Sequence, residues 1–465
     1  MSVEPLLSKW EVRRLEELSS AIQYGYTAKA TTERLGPKLL RITDIQNDAV
    51  DWDAVPFCEI SPKEIEKYRL GKNDLLFART GATVGKSYLI PGSIPDSVFA
   101  SYLIRVRLLE DVIPKYVAYF FRSLDYWRQI TETQAGIGQP NVNGTKLAQI
   151  KIPVAPLKQQ KLIVAEIEKQ FSRLDEAVAN LKRVKANLKR YKAAVLKAAV
   201  EGKLTEDWRK QHPNVQPASK LLERILAERR AKWKGRGKYK EPYHPDTSDL
   251  PSLPKGWTWA RWEQIGFSQN GRAFPSSQYQ PTGIKLLRPG NLHVSGKVVW
   301  TEDNTRCMPQ KWAHEFPESI VGPRELIMNL TAQSLKDEFL GRVCLTGSGE
   351  ACLLNQRLAR LSPVLVLSEF LLWLFKSSVF RRFVNELNTG SLIQHMFTSQ
   401  LADFVLPLPP LAEQQVIIAE VERRLSVIDE LETTVEANLT RAARLRQATL
   451  QKAFSGKLLL NGAHR

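Results

Sequence analysis

Thr80-Gly-Ala-Thr-Val-Gly85-Lys86-Ser87 is the stretch whose residue types come nearest to doing chemistry. A phosphate-cradling loop needs Gly-x-x-x-x-Gly-Lys-Ser/Thr between a strand and a helix, so that backbone amides and a helix N-terminus face the anion. Here Thr80 replaces the first glycine, and Tyr88-Leu-Ile-Pro-Gly92 downstream reads as a strand and a turn. The expectation is a β-turn with no nucleotide hydrolysis, leaving Lys86 to meet a backbone phosphate. The six histidines, His212, His244, His293, His314, His395 and His464, show no metal-ligand spacing, and Cys58, Cys307, Cys344 and Cys352 form no Cys-x-x-Cys pair. No catalytic group and no metal site is assigned.

The chemistry that remains is binding. The chain carries 67 Lys and Arg against 49 Asp and Glu, a net charge of +18, which favours a polyanionic partner. Reading a duplex needs Arg, Lys, Asn and Gln at base edges and further basic groups on phosphates. In the first half the candidates are Gln23, Tyr24, Lys29, Arg41, Arg79, Lys86, Gln139, Asn141 and Asn143. In the second half they are Asn270, Arg272, Arg288, Asn291, Gln333, Lys336, Gln394 and His395. Each taken alone is an ordinary surface or turn residue; as two sets in loops of a basic chain they gain weight. No apolar run reaches a membrane span, so a cytoplasmic protein is expected.

Two long helices must position these loops. From Ile167 apolar residues recur every seventh position at Leu174, Leu181, Leu188 and Val195, with a second row read at Ala177, Val184, Tyr191 and Ala198. This is the seam of a coiled coil about 65 Å long. Displaced by 254 positions the segment returns without a gap, from Pro156 to Pro410, Gln160 to Gln414, and Gly202-Lys-Leu204 to Gly456-Lys-Leu458. The second seam runs through Val421, Ile428, Val435, Ala442 and Thr449, with Leu431 and Leu445 between. The residues expected to pair the helices are Ile167, Leu174, Leu181, Leu188, Val195, Val421, Ile428, Val435 and Leu445. The basic face of the first helix, including Lys182, Arg183 and Lys189, reads either as solvated exterior or as a surface for a polyanion or an acidic partner.

The chain divides as an α+β domain at 1–155, a long helix at 156–204, a basic, proline-containing linker at 205–253, a second domain at 254–408, a C-terminal long helix at 409–458 and a tail at 459–465. Pro114–Thr133 and Pro363–Asn388 each read as one helix, and Ala218–Lys232 as a short one in an otherwise extended linker. The openings and exits of the two domains match and their middles diverge, so the pair is a repeat of more than 200 residues reading two different things. The fold expected is two globular domains related by an internal repeat, joined by an antiparallel coiled coil with circular pseudo-twofold symmetry.

Pro156–Glu166 with Gly202–Arg209, and Pro407–Glu420 with Gly456–Leu458, together resemble the specificity subunit of Type I restriction–modification systems. The resemblance covers essentially the whole chain. The tryptophans that open the domains and the Gly-x-x-Asp/Glu-Leu pieces at Gly71–Leu75 and Gly322–Leu326 support it; the second domain lacks a match to Arg79-Thr-Gly81. The resemblance implies two target recognition domains, each reading half of a split double-stranded DNA site. It implies that the helices set the gap, near one helical turn of about 34 Å, and dock two methyltransferase subunits, with restriction/translocase subunits in the full complex. S-adenosylmethionine, ATP and Mg2+ would be bound by those partners and not by this chain. A coiled-coil scaffold without sequence reading, or a DNA-modifying enzyme with unrecognised motifs, are the alternatives. The absent Asn-Pro-Pro-Tyr motif counts against the second.

Overall fold

The computed structural model describes residues 10–46, 48–80, 84–133, 142–232, 238–333, 335, 338–349, 351–387 and 394–459. They group into two compact units, one made of residues 1–183 with 435–465 and one of residues 184–434.

In the first unit the opening strand Glu11–Arg14 pairs antiparallel with the exit strand Lys151–Val154. Its main sheet runs in the order Ser19–Tyr24, Leu103–Leu108, Leu75–Ala78, Ser87–Leu89, all antiparallel. Leu75-Leu-Phe-Ala78 is buried on both faces, as a continuous apolar run at the centre of a sheet demands. A second, parallel pair joins Lys38–Leu40 to Ser97–Phe99. The expected helix over Pro114–Thr133 is two helices, Pro114–Phe120 and Leu124–Thr133. The break has a physical cause: the Ser123 hydroxyl accepts the Tyr126 amide at 3.3 Å, so a local side-chain bond competes with the helical ladder.

The second unit repeats this plan. Thr258–Arg261 pairs with Val405–Leu408. The main sheet runs Gly266–Asn270, Leu358–Pro363, Leu326–Asn329, Val343–Leu345. The parallel pair is Ile284–Leu287 with Cys352–Leu354, extended at its flanks by Cys307–Met308 and Ile320–Val321. The helix expected over Pro363–Asn388 is again split, into Ser368–Phe375 and Ser378–Leu387, with the Ser377 hydroxyl donating to the Leu374 carbonyl. The linker is less extended than its prolines suggested: Glu206–Gln211 is helical, besides Ala218–Ala231. Glu206 and Asp207 occupy its first turn and Arg209 and Lys210 its last, the charge order a helix dipole favours.

The long helices are Leu157–Val200 and Leu411–Phe454. They contact each other antiparallel: Gln170 meets Thr449 and Asp175 meets Arg446 in the first unit, and Lys192 meets Asp429 in the second. Ile167, Leu188, Val195, Val421, Ile428 and Val435 are buried, and Leu174 and Leu181 partly so. The second row differs from the sequence reading. Ala177, Val184 and Tyr191 are exposed, as are Leu431 and Leu445, each 46% accessible; Leu445 is therefore not a pairing residue. Positions three and four away flank a helical row on opposite sides, and the partner lies on the plus-four side, at Phe171, Val178, Lys192 and Ala199. Apolar character favoured the wrong flank because Lys192 holds a seam position, its stem packed and its ammonium 2.8 Å from Asp429.

Candidate nucleic-acid interface

Each domain is built on one internal polar network, buried in the first unit and part-buried in the second. In the first unit Arg105, nearly inaccessible, donates to the Gln23 carboxamide oxygen, to the Arg69 carbonyl at 2.6 Å and to the Lys67 carbonyl at 2.9 Å. Asp74 lies 3.6 Å from the same guanidinium, accepts Arg107 Nε at 2.9 Å and caps the Gly71 amide at 3.0 Å. In the second unit Arg360 donates to Gln269, to the Ile320 carbonyl at 3.0 Å and to the Glu318 carbonyl at 3.3 Å. Glu325 sits 3.5 Å from Arg360 and caps Gly322 at 2.9 Å. The two Gly-x-x-Asp/Glu-Leu pieces are thus the acidic corners of one network used twice. Burial lowers the Arg105 pKa, and the Asp74 charge works against that shift.

A second pair of matched contacts fastens each domain to its long helix. The buried carboxamides of Gln160 and Gln414 accept the amides of Ile113 and Leu367, at 2.9 and 3.0 Å, the residues that cap the helices Pro114–Phe120 and Ser368–Phe375. Each also donates back, to the Ala155 carbonyl at 2.8 Å and to the Pro409 carbonyl at 3.1 Å. The opening tryptophans anchor alongside, Trp10 to Gln159 and Trp257 to Glu413, both at 2.8 Å. Glu413 is fully buried and also receives Thr205 at 2.6 Å and the Arg209 guanidinium. Hence the two Pro-Leu-x-x-Gln stretches, Pro156–Gln160 and Pro410–Gln414, and Gly202-Lys-Leu-Thr-Glu-Asp-Trp-Arg209 are clasps between helix and domain.

Several sequence candidates are engaged by the protein itself. Gln23 belongs to the network. The Arg41 guanidinium is paired with Asp44 at 2.7 Å, Asn143 caps Lys146 at 2.8 Å, and Asn291 is buried, accepting the Arg288 amide at 2.9 Å. Arg288 reaches the Asn304 carbonyl at 3.2 Å, beside the Tyr279 ring. Lys86 is exposed after Gly85, whose φ of +81° and bond to the Ala78 carbonyl close a hairpin turn into the Ser87–Leu89 strand; no helix follows. Lys29, Asn270, Gln333 and His395 are exposed, and Gln394 is half-buried in a short strand pairing Gln394-His395 with Thr331-Ala332. Gln139, Asn141 and Lys336 lie outside the described residues.

What the structure brings together at the surface are two small aromatic–cation groups. In the first unit the Arg79 guanidinium lies 5.1 Å from the Tyr24 ring, whose hydroxyl accepts the Gly144 amide at 2.7 Å, and the Arg79 amide donates to Tyr102 at 3.0 Å. In the second, Arg272 lies 3.4 Å over Phe316, which stacks on Trp312. Such groups combine a cation for phosphate with a flat face for a base. Elsewhere in the second unit Lys376 donates to the Val294 carbonyl at 2.6 Å, and burial pulls its pKa down to about 8. Among the described residues no cluster of potential metal ligands forms, and no helix is long and apolar enough to cross a membrane.

Sequence reasoning missed Arg105 and Arg360. The signal was present: Leu103-Ile-Arg105-Val and Leu358-Ala-Arg360-Leu share an arginine two residues into an apolar strand.

The two units keep one internal polar network and differ in their exposed polar groups. The family model described as the Type I restriction modification DNA specificity domain matches residues 7–190. The chain is 27% identical over 237 residues to the Type I restriction enzyme EcoKI specificity subunit of Escherichia coli K12, covering 49% of this chain and 51% of that protein. It is 28% identical over 298 residues to the EcoAI specificity subunit of Escherichia coli, 63% of this chain and 49% of that one. The chain thus spans about half the length of these two relatives. The MjaVIII specificity subunit of Methanocaldococcus jannaschii is 22% identical over 453 residues, 97% of this chain and 93% of that protein. A solved structure from a study of assembly and conformational transition in the type I R-M system shares the fold, with a TM-score of 0.65 at 19% identity over 97% of this chain and 98% of that one. Over nearly its whole length the chain is thus similar to Type I restriction–modification specificity subunits, and its first 190 residues carry the match to the specificity-domain model.

Proposed function

We propose that this chain is the DNA-specificity subunit of a Type I restriction–modification complex and performs no catalysis itself. Each domain reads one half of a split double-stranded DNA target, and the paired helices fix the gap between the halves. The carrying observation is the repeat itself: one internal network, Gln23–Arg105–Asp74 and Gln269–Arg360–Glu325, supports two different sets of exposed side chains. A scaffold without sequence reading would have no use for that divergence.

Two methyltransferase subunits dock on the helices, and restriction/translocase subunits join the full complex. Supporting the docking are Val184, Tyr191, Val427 and Leu431 in the second unit, apolar side chains that the helix pair leaves exposed. S-adenosylmethionine, ATP and Mg2+ are held by those partners, in the cytoplasm. DNA grip falls steeply with salt, because a chain of +18 releases counterions from the phosphates it meets. The test is a single-molecule methylome of host DNA with the gene intact and deleted. Loss on deletion of a split motif, methylated on adenine in both halves, is expected; no change while the methyltransferase partner is expressed refutes the reading.

A further inference from the structure

The two domains can be aligned bond by bond where each main sheet ends. Gly25 donates to the Leu103 carbonyl at 3.1 Å and Gly271 to Leu358 at 2.9 Å. The next residues, Tyr26 and Arg272, donate to Phe99 and Leu354 at 2.8 and 2.9 Å. Their carbonyls accept the amides of Ser101 and Gln356 at 2.9 and 2.8 Å. The carbonyls of Tyr102 and Arg357 accept Arg79 and Leu330 at 3.0 and 2.9 Å, whose own carbonyls accept Val142 and Met396, both at 3.0 Å. The position that sequence could not map, Arg79, therefore has Leu330 as its counterpart.

Glycine is required at the corner in both copies. A Cβ on Gly25 would stand 2.2 Å from the Ala100 carbonyl oxygen, and one on Gly271 would stand 2.1 Å from that of Asn355. The strand and the turn preceding Leu103 or Leu358 are thus locked against each other, and the turn holds its side chains on a rigid frame. On this frame the matched side chains all differ: Tyr26 against Arg272, Ser101 against Gln356, Tyr102 against Arg357, and Arg79 against Leu330, which is buried. Tyr102 is 62% accessible, and Gln356 and Arg357 are exposed. A rigid backbone with variable, exposed, planar donors is what direct reading of base edges requires, since geometry must stay fixed while the hydrogen-bonding pattern changes.

We propose that the turn Ser101-Tyr102 in the first domain and its counterpart Gln356-Arg357 in the second are the specificity-determining station of each reader. Gln356 and Arg357 present a carboxamide and a guanidinium, the groups that pair two-pronged with the major-groove edges of adenine and guanine. Tyr102, beside the Tyr24–Arg79 pair, presents a ring and a hydroxyl, so the two half-sites differ in sequence. The inference rests on the DNA-specificity reading above.

The test is the methylome of cells whose methyltransferase partner is expressed with the full-length chain, wild type or carrying Arg357→Ala or Tyr102→Ala. Arg357→Ala is expected to relax one half of the motif by about tenfold to a hundredfold in discrimination, with the other half unchanged. Tyr102→Ala should relax the opposite half only. Arg357→Lys, which keeps the charge and loses the planar fork, should also relax its half, and the purified variants should melt as wild type does. If wild type writes a motif and the variants leave both halves intact, or blur both equally, the station is wrong and the functional reading stands. If wild type writes no motif, the functional reading fails and takes this inference with it.

Discussion

Neutralising the acidic corner of the buried network should cost the two domains very different amounts. Asp74→Asn and Glu325→Gln each remove one charge and keep the shape of the side chain. In the first domain the Arg105 and Asp74 side chains are 2% and 5% accessible; in the second, Arg360 and Glu325 are 19% and 32%. Removing one partner of a fully buried pair strands the other charge and costs about 3–5 kcal/mol. Arg107, which also leans on Asp74 at 2.9 Å, adds to the loss. At the second site water reaches both groups, so the change should cost about 0.5–1.5 kcal/mol, the scale of one hydrogen bond. Two compact units need not unfold together, so a single melting curve is a poor assay. Native-state hydrogen exchange of the Leu103–Leu108 amides and of those at 358–362 reads each domain separately. Equal losses, or a larger loss from Glu325→Gln, would refute the claim that burial sets the worth of this network.

Ile428→Ala should destabilise the helix pair by about 2–4 kcal/mol while Leu431→Ala, on the exposed face, leaves denaturant stability within about 0.5 kcal/mol; a comparable loss from both would put Leu431 back in the seam. Glu413→Gln and Arg209→Ala combined should cost less than the two singles added, by about 1–3 kcal/mol, because each single leaves a buried partner stranded; strict additivity would show the pair uncoupled. For Lys376, burial disfavours the charged form, so the folded pKa of about 8 lies below the ordinary 10.5. Below pH 8 both states are protonated and the folded state carries the full penalty, whereas above 10.5 neither is charged. Wild type should therefore gain stability relative to Lys376→Met between pH 8 and 10.5, by at most about 3 kcal/mol, in parallel urea titrations across that range; a flat difference would refute the shift.

Features that depend on near neighbours in sequence were legible. The helix Leu157–Val200, the buried strand Leu75–Ala78, the turn at Gly85 and the helix Ala218–Ala231 all follow from local period or punctuation. The repeat was legible because Gln160 and Gln414 do the same job in the same register. The network was not, because Gln23 and Arg105 stand 82 positions apart and only folding joins them. Gln23 therefore read as a surface amide when it is a structural one. The inner flank of the coiled coil was lost for the opposite reason: Lys192 looks like a solvent residue to any hydrophobicity rule, yet its partner Asp429 lies on the other helix. Among the candidates for the interface, sequence supplied residue types, and the choice between inward and outward side chains needed the backbone.

The first unit takes its core from both halves of the chain. Leu450, Ala453, Phe454 and Leu458 pack with Leu15, Phe77 and Tyr116, and the Phe454 ring lies 5.1 Å from Tyr116 and 5.2 Å from Phe120. The second unit is one uninterrupted span, residues 184–434. Synthesis on the ribosome therefore reverses the numerical order of maturation. The domain that emerges first must wait, with Tyr116 and Phe120 lacking their cover, until the last long helix is released, and the domain translated later can close before it. A stall or a nonsense codon between Thr434 and Phe454 would leave a finished second unit tethered to an unfinished first one, with an open apolar face ready for chaperones or aggregation.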